Sequence, residues 1–397
     1  MNIFSTIKQK PLPSMFGLGG GLSGFAISGA RPPLYDWGSS TQVFDTAGAY
    51  GNLGPSASML NAEYSSRSFY SYSYRSDKGI LFIQIPDTKT FNFDMRGACG
   101  GRADSGSGQD ASTAGGKPRR LQGSIQLYHS EWIGIIIGQK GGQSEVSGSS
   151  GGGGGGGTFV FLLNSFADTL TENIVENTSV TPLLVASGGN GSNWDSWNVD
   201  SVNGKGIDNT VTTDPIEARA NSGNNYGDSI YGRGAFGGSF NYTRHHFEDG
   251  TNVIVYNNYT TSELYRSANP LLNNNNRIFD HSLRGGIMFG ETESYSNARN
   301  YRSTSSGGGD GGFGGGAGSR YEGGGGGGYW GGAPSKTNDY NTDYDYGAYS
   351  YADSSRVTIT SDAVDTRQSV SLRNTNYNYD SSAPDDLLQG RLELTIT

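Results

Sequence analysis

The chain has 397 residues, and 65 of them are glycine, whereas glycine makes up about 7% of an average protein. Only 12 residues are proline and no Gly-X-Y period occurs, so a collagen is excluded. The formal net charge of −9 argues against a broad basic surface for nucleic acid. Cys99 is the single cysteine, which excludes an intramolecular disulfide, and with four histidines a cysteine-rich zinc site is not expected.

The sequence contains no signal that predicts insertion into a membrane or secretion. No run of 18 apolar residues occurs, which is what a transmembrane helix requires. Lys8 and Lys10 lack a following apolar segment, and Pro11 and Pro13 interrupt the region. We therefore expect synthesis in a cytoplasm, and release, if any, by a route other than secretion.

Residues 1–76 are predicted to form an N-terminal attachment region. Its apolar, glycine-rich part contains four large side chains and no charge, so it is too small for a core of its own and suits contact with a partner. Those four residues are Phe16, Leu18, Leu22 and Phe25. Farther along, aromatic and serine residues alternate over Tyr70–Tyr74, which predicts a strand with one aromatic face.

Several strands are predicted after residue 76. Residues 79–96 resemble a β-hairpin with its turn at Pro86–Lys89. Residues 124–128 form the next strand, and residues 132–138 are apolar on both faces, which predicts a strand in the interior of a sheet. Lys117–Arg120 is the one local cluster of positive charge, and we interpret it as a solvated loop.

Glycine runs at 151–157 and 307–332 separate further strands, at 158–163, 182–186 and the C-terminus. A flexible linker is one interpretation. However, the runs directly abut apolar strands and contain isolated aromatic residues, which favours packed extended helices of the polyproline II type built from glycine. Helical periodicity is almost absent, and the best short helix is predicted near Asp385–Leu388. The predicted fold is all-β with packed polyglycine-II-type helices.

The order of these motifs resembles the glycine-rich domain of the anaplastic lymphoma kinase and leukocyte tyrosine kinase receptors. That resemblance implies β-strands combined with a bundle of polyglycine helices over roughly residues 79–360. A signal peptide, a transmembrane helix and disulfides are not found here, so receptor signalling is not implied. The matching segments are Ile83–Arg102, Trp132–Gly142, Gly151–Leu162, Pro182–Gly191 and Gly311–Ser335.

Three regions are therefore expected. They are the attachment region 1–76, a glycine-rich body at 77–360 with an insertion at about 192–306, and a C-terminal β segment at 361–397.

The sequence is also similar in style to bacteriophage tail-fibre proteins and tip adhesins. These proteins use glycine-rich modules whose loops, rich in Tyr, Trp, Asn and Ser, contact the host surface. The start KPLPSMFGLGGGLSG is similar to N-terminal attachment segments of marine phage structural proteins. The resemblance implies a virion protein that meets other virion proteins through its N-terminal region and a host glycan or protein through its loops. A homo-oligomer is left open.

Aromatic residues within polar loops are the strongest candidates for receptor or glycan contacts. Tyr and Trp supply rigid contact area, and Ser, Gly and Asn supply adaptable hydrogen bonds, as in antibody paratopes. The alternative is that these aromatics pack against the ends of the glycine bundle. The candidates are Trp194, Trp197, Tyr226, Tyr231, Tyr256, Tyr259, Tyr295, Tyr301, Tyr340, Tyr344 and Tyr346.

Motifs for catalysis or cofactors are weak. The pattern G-x-G-x-x-G occurs at 19–24 and 232–237, but no helix is predicted after either, so no nucleotide cofactor is expected. His245 and His246 are adjacent and would point to opposite faces of a strand, which disfavours a shared metal. Residues 339–345 are acidic enough for weak cation binding at most. We expect no enzyme, although a carboxylate pair of a polysaccharide depolymerase stays open.

A cell-derived extracellular glycine-rich fibre or matrix protein is the main alternative function. Four Asn-X-Ser/Thr sequences would then be candidate glycan sites, although four are close to chance in so Asn-rich a chain. They begin at Asn177, Asn190, Asn241 and Asn258.

Overall fold

The computed structural model describes only part of the chain. Residues 33–397 form one compact unit, separate from residues 1–32. The candidate attachment residues Phe16, Leu18, Leu22 and Phe25 lie outside the described residues. The described residues are 33–103, 115–143, 151–192, 203–207, 246–249, 252–255, 309–316, 318, 323–332, 347–366 and 387–397.

Two β-sheets form the framework of the described part of the compact unit, and helices are few, which confirms the all-β class. One sheet has five antiparallel strands in the order β1 (Gln42–Phe44), β14 (Arg391–Ile396), β4 (Lys89–Arg96), β5 (Arg119–Leu127) and β13 (Val357–Val364). The other has seven, in the order β2 (Ser73–Arg75), β3 (Leu81–Gln84), β6 (Trp132–Ile136), β7 (Thr158–Leu163), β8 (Val180–Ala186), β12 (Tyr349–Ala352) and β9 (Lys205–Ile207).

Neighbouring strands of the seven-stranded sheet are antiparallel except for the parallel pair β12 and β9. A separate pair consists of β10 (His246–Asp249) and β11 (Asn252–Val255). The described helices are α1 (Ala57–Tyr64), a 3₁₀ turn (Tyr70–Tyr72) and α2 (Glu172–Asn177). Within the described parts of the chain, no helix is long and apolar enough to cross a membrane.

The main core lies between the two sheets. Alternate residues of β4, Phe91 and Phe93, face inward and belong to one buried cluster with Ile133 and Ile135 of β6. A second cluster covers the opposite face of the seven-stranded sheet and includes Phe161 and residues of α2. Strand β6 is therefore buried on both faces and lies between β3 and β7, which confirms the predicted interior strand.

The predicted hairpin at residues 79–96 is wrong. Strand β3 pairs with β2 and β6, whereas β4 pairs with β5 and β14, so the turn after Pro86 carries the chain from one sheet to the other. The burial pattern gives the physical reason. Strand β3 is buried on both faces, while β4 alternates between buried and exposed, so each fits a different sheet.

Three further local predictions are corrected. Arg119 and Arg120 belong to β5 rather than to a solvated loop, because each pairs with an aspartate, Asp362 and Asp94 respectively. Tyr70–Tyr74 begins as a 3₁₀ turn and becomes a strand only at Ser73. Leu387 and Leu388 form a turn rather than part of a helix.

The N-terminal part of the compact unit belongs to the core. Strand β1 pairs with β14, and the side chains of Trp37, Phe44 and Tyr64 are buried in the main cluster. The unit begins at Pro33, and the expected boundaries at residues 76 and 360 both fall inside it. An attachment segment that lies outside this unit can therefore comprise only residues 1–32.

The two ends of the compact unit differ. Strands β4, β6 and β8 all lead into glycine-rich segments at one end. The opposite end holds the connection after β3, where the amide of Leu34 donates to the carbonyl of Pro86 at 3.2 Å. The start of the compact unit, at Leu34, therefore lies at the end away from the glycines.

Candidate functional site

Glycine-rich segments continue from the strand ends and hydrogen-bond to one another through their backbones. We call them the glycine array. Nearly all of their described residues are buried. The array comprises residues 97–103, 115–118, 137–143, 151–157, 187–192, 309–316 and 323–332.

The segment 151–157 lies at the centre of the array, and its hydrogen-bond partners repeat every third residue. Its amides donate to neighbouring segments rather than to carbonyls of the same segment. Its carbonyls at Gly152 and Gly155 likewise accept from one neighbour, residues 324 and 327. The amides of Gly152, Gly153, Gly155 and Gly156 donate to the carbonyl oxygens of Ser192, Gly142, Gly189 and Gln139, respectively, at 2.8–2.9 Å.

Space explains why this segment is pure glycine. A Cβ on Gly154 would overlap the carbonyl oxygen of Gly325, and one on Gly156 would overlap the carbonyl of Phe313. The backbones are therefore too close for any side chain between them. This close approach is what allows the segments to hydrogen-bond to one another through their backbones.

Phe313 anchors the segment 309–316 to the rest of the body. Its ring is buried in the second core cluster, and its amide donates to the carbonyl of Gly51 at 2.8 Å. Gly54 and Gly79 border the ring so closely that a Cβ on either would overlap it. The isolated aromatic residues predicted to pack the glycine runs include Phe313 and Trp330, and both are buried.

One end of the array brings several chain segments together. We call it the distal end, formed by residues 101–103, 142–143, 151–153, 190–192, 309–310 and 323–324. Gly142 donates to the carbonyl of Asp310 at 2.6 Å, and Gly309 donates to that of Gly151 at 3.0 Å. The amide of Ala103 donates to the hydroxyl of Ser192. Ends that are far apart in sequence are thus fixed side by side.

The candidate contact residues lie outside the described residues, but the ends of their segments are placed. Ser192, at the distal end, immediately precedes the segment with Trp194 and Trp197. Gly309, also at the distal end, follows the segment 208–308. That segment contains Tyr226, Tyr231, Tyr256, Tyr259, Tyr295 and Tyr301.

The remaining candidates, Tyr340, Tyr344 and Tyr346, lie between Gly332 and Gly347 and are also outside the described residues. Gly332 belongs to the array, where its amide donates to the carbonyl of Gly326 at 2.8 Å.

Asn190 contributes a structural side chain to the array, whereas the sequence alone suggests it only as a glycan site. Its side chain is fully buried, and its Oδ1 accepts from the amide of Gly326 at 2.8 Å. Glycosylation at Asn190 is therefore incompatible with the fold. Asn177 is exposed at the end of α2, and Asn241 and Asn258 lie outside the described residues.

Ile207, the last described residue before the segment 208–308, lies beside an ion pair. The amide of Ile207 donates to a carboxylate oxygen of Asp362 at 2.9 Å, and Arg119 pairs with the same carboxylate. Burial, and then repulsion by Arg119, lowers the pKa of Lys205. Side chains of β5 and β13 thus fix the position of Ile207.

The described acidic side chains mostly serve ion pairs within the fold. Asp94 pairs with Arg120, and Glu131 pairs with Arg356 through two contacts of 2.9 Å. Among the residues that the structure describes, no group of three or more histidine, cysteine or acidic residues is placed to hold a metal ion. What the described site offers chemically is a rigid backbone frame.

The sequence matches no protein-family model, and no curated protein is significantly similar to it. Composition and the geometry of the glycine array are therefore the observations on which a function can rest.

Proposed function

We propose that this chain is a virion structural protein, a phage tail-fibre or appendage adhesin that binds a receptor or glycan on the host surface. The observation that carries the proposal is the distal end of the glycine array. It holds Ser192, which precedes the segment with Trp194 and Trp197, close to Gly309, which follows the segment 208–308 with its tyrosines. A rigid frame beneath such segments lowers the entropy lost on binding.

We also propose that the array consists of packed polyglycine II helices. An extended helix of this type has three residues per turn and no internal hydrogen bonds. The partners of residues 151–157 repeat every third residue and lie in other segments. The absence of room for any Cβ at Gly154 supports close packing of such helices.

The positions of the two ends of the body suit an adhesin. Leu34, near the start of the compact unit, hydrogen-bonds to Pro86 at the end opposite the array. The eight residues of β4 span about 27 Å, and a seven-residue glycine helix adds about 20 Å. We propose that residues 1–32 attach the chain to other virion proteins, so that the distal end faces the host.

The composition of the segments at the distal end fits surface recognition. Tyr and Trp provide flat apolar area, and Asn, Ser and Gly provide hydrogen-bonding groups of low bulk. These groups would stack on sugar rings or pack on a protein receptor. Host surface glycans or proteins are accordingly the proposed ligands.

Binding of the purified full chain to host cells tests this proposal. Trp194→Ala and Trp197→Ala together should weaken binding at least about tenfold, because aromatic anchors dominate such interfaces. The control Asn92→Ala changes an exposed side chain on the outer face of β4, so binding should be unchanged. Unfolding curves should coincide for all three proteins.

Unchanged binding by the double variant, and also by chains that lack 333–346 or a large part of 208–308, would contradict the proposed role of the distal end. A wild-type chain that binds no host cell and is found instead in the envelope of a producing cell would favour the extracellular fibre. Removal of residues 1–32 should abolish incorporation into particles and leave the body folded.

A further inference from the structure

Two asparagines of the chain are each followed by glycine, at Asn190–Gly191 and Asn203–Gly204. In this sequence asparagine loses its side-chain amide most readily, because glycine has no side chain to hinder attack by its own backbone nitrogen. Both pairs lie within the described residues, and their surroundings differ. The fold therefore decides how fast each pair reacts.

The reaction needs no reagent other than water. The backbone nitrogen of the glycine attacks the side-chain Cγ of the asparagine and loses its proton, the bond from Cγ to Nδ2 breaks, and ammonia leaves. Water then opens the resulting cyclic imide at either of its two carbonyls. The products are aspartate and isoaspartate, and in isoaspartate the main chain runs through the former side chain and is one carbon longer.

Hydrogen bonds inside the array hold both reacting groups of the first pair. The amide of Gly191 donates to the carbonyl of Gly324 at 2.8 Å, and Oδ1 of Asn190 accepts from the amide of Gly326 at 2.8 Å. Ring closure would break both bonds, and the complete burial of Asn190 keeps water away from it. The folded array therefore opposes the reaction at Asn190.

The second pair is held less firmly. The amide of Lys117 donates to Oδ1 of Asn203 at 2.8 Å, and the carbonyl of Lys117 accepts from the amide of Gly204 at 2.8 Å. Asn203 is half-buried, and Gly204 directly precedes β9, a three-residue strand at the edge of the seven-stranded sheet. Short edge elements open locally without unfolding of the whole body. Such opening exposes Asn203 to the reaction in the folded protein.

The products at position 190 do not fit the array. Gly189 and Ser192, three residues apart, donate to the carbonyls of Ala98 and Gly101, which are also three residues apart, at 3.0 Å each. The extra backbone carbon of an isoaspartate between the two donors breaks this register. The aspartate product would instead place a carboxylate at a fully buried position, which costs free energy. Both products therefore oppose assembly of the array.

We propose that the two pairs are sites of spontaneous modification of opposite kinds. Asn203 converts to aspartate and isoaspartate in the folded protein. Asn190 converts only in chains whose array has opened, and its conversion prevents the array from forming again. The array thus protects Asn190 while it is folded, and prolonged unfolding becomes irreversible through chemical modification.

Peptide mapping of the full chain by mass spectrometry, at mildly alkaline pH, tests the protection. In concentrated urea both asparagines should convert at similar rates, which serves as the internal control. In buffer, conversion of Asn190 should be slower by about 1,000-fold or more, as for a site that opens only with the global transition. Asn203 should convert at least about tenfold faster than Asn190 in buffer, because its strand opens locally. Equal rates for Asn190 in buffer and in urea, or slower conversion of Asn203 than of Asn190 in buffer, would overturn the assignment.

Refolding of partly converted chains tests the consequence. Wild-type chains aged in urea are returned to buffer, and the folded and misfolded fractions are separated by size-exclusion chromatography and mapped. Isoaspartate at position 190 should be absent from the folded fraction, whereas isoaspartate at position 203 should occur in both. Equal proportions of isoaspartate at position 190 in the two fractions would refute the irreversibility and would leave the proposed host binding untouched.

A pair of variants gives a second measurement that does not depend on refolding from urea. Asn190→Asp should lower the thermal unfolding midpoint by at least about 4 °C, because it buries a carboxylate. Asn203→Asp is the matched control, since its half-exposed carboxylate can still accept from the amide of Lys117, and it should unfold with the wild type. Coincident unfolding curves for Asn190→Asp and the wild type would show that the array accepts the aspartate product.

Discussion

At the scale of single residues, the central glycines are required for space. Gly154 is surrounded by backbone, and its missing side chain is what lets residues 151–157 touch several neighbours at once. Gly48 is glycine for a different reason. Its φ is +74°, which disfavours a side chain, yet no atom lies within 4 Å of where a Cβ would be.

These two glycines make a matched pair of substitutions. Gly154→Ala should lower the free energy of unfolding by ~3 kcal/mol or more, because backbone must move to admit the methyl group. Gly48→Ala should cost only about 1–2 kcal/mol, the strain of a left-handed backbone. Urea unfolding of both variants measures the difference. Equal losses would show that the array is loose enough to accept a side chain.

At the scale of elements, side chains tie together connections that belong to different sheets. The turn after β12 carries the chain from the seven-stranded to the five-stranded sheet, and its Arg356 forms a two-point ion pair with Glu131 before β6. Both side chains are about four-fifths buried. Such paired contacts are stronger than ordinary surface ion pairs.

Neutralising this pair should destabilise the protein measurably. Glu131→Gln keeps the size of the side chain and should cost about 1–2 kcal/mol, because Arg356 keeps its charge without a charged partner. Asp87→Asn is the control, since Asp87 and Lys89 are exposed and 3.8 Å apart, and it should cost less than about 0.5 kcal/mol. Thermal unfolding compares the two, and indistinguishable losses would remove Arg356–Glu131 as a stabilising link.

At the scale of the whole molecule, residues 33–397 form one unit whose N-terminal part is essential to its core. Removal of residues 1–32 should leave the unfolding midpoint within about 3 °C of the full chain, since that segment belongs to a separate unit. Removal of residues 1–76 deletes β1, α1 and β2 together with Trp37 and Phe44. That shorter chain should lose cooperative unfolding, as near-ultraviolet circular dichroism would show. A cooperative transition in residues 77–397 would restore the boundary expected from the sequence.

The sequence by itself determined the class of the fold and the position of most strands. An apolar run on both faces predicted the interior strand β6, and alternation of apolar and polar residues predicted β14. Both predictions succeed because a strand buried on one face alternates in sequence, whereas a strand buried on two faces is apolar throughout. The same reasoning, applied to burial, could have separated β3 from β4. Helix α1 was missed, although Ser56 before it accepts from the amide of Met59 as an N-cap.

Only the tertiary structure decided which segments are neighbours. A run such as 151–157 has identical residues throughout, so its sequence contains no pattern that could choose a partner or a register. The strands on either side, β6, β7 and β8, fix both through their pairing with one another. The burial of Asn190 and the gathering of chain ends at the distal end both follow from that long-range pairing, which local periodicity cannot specify.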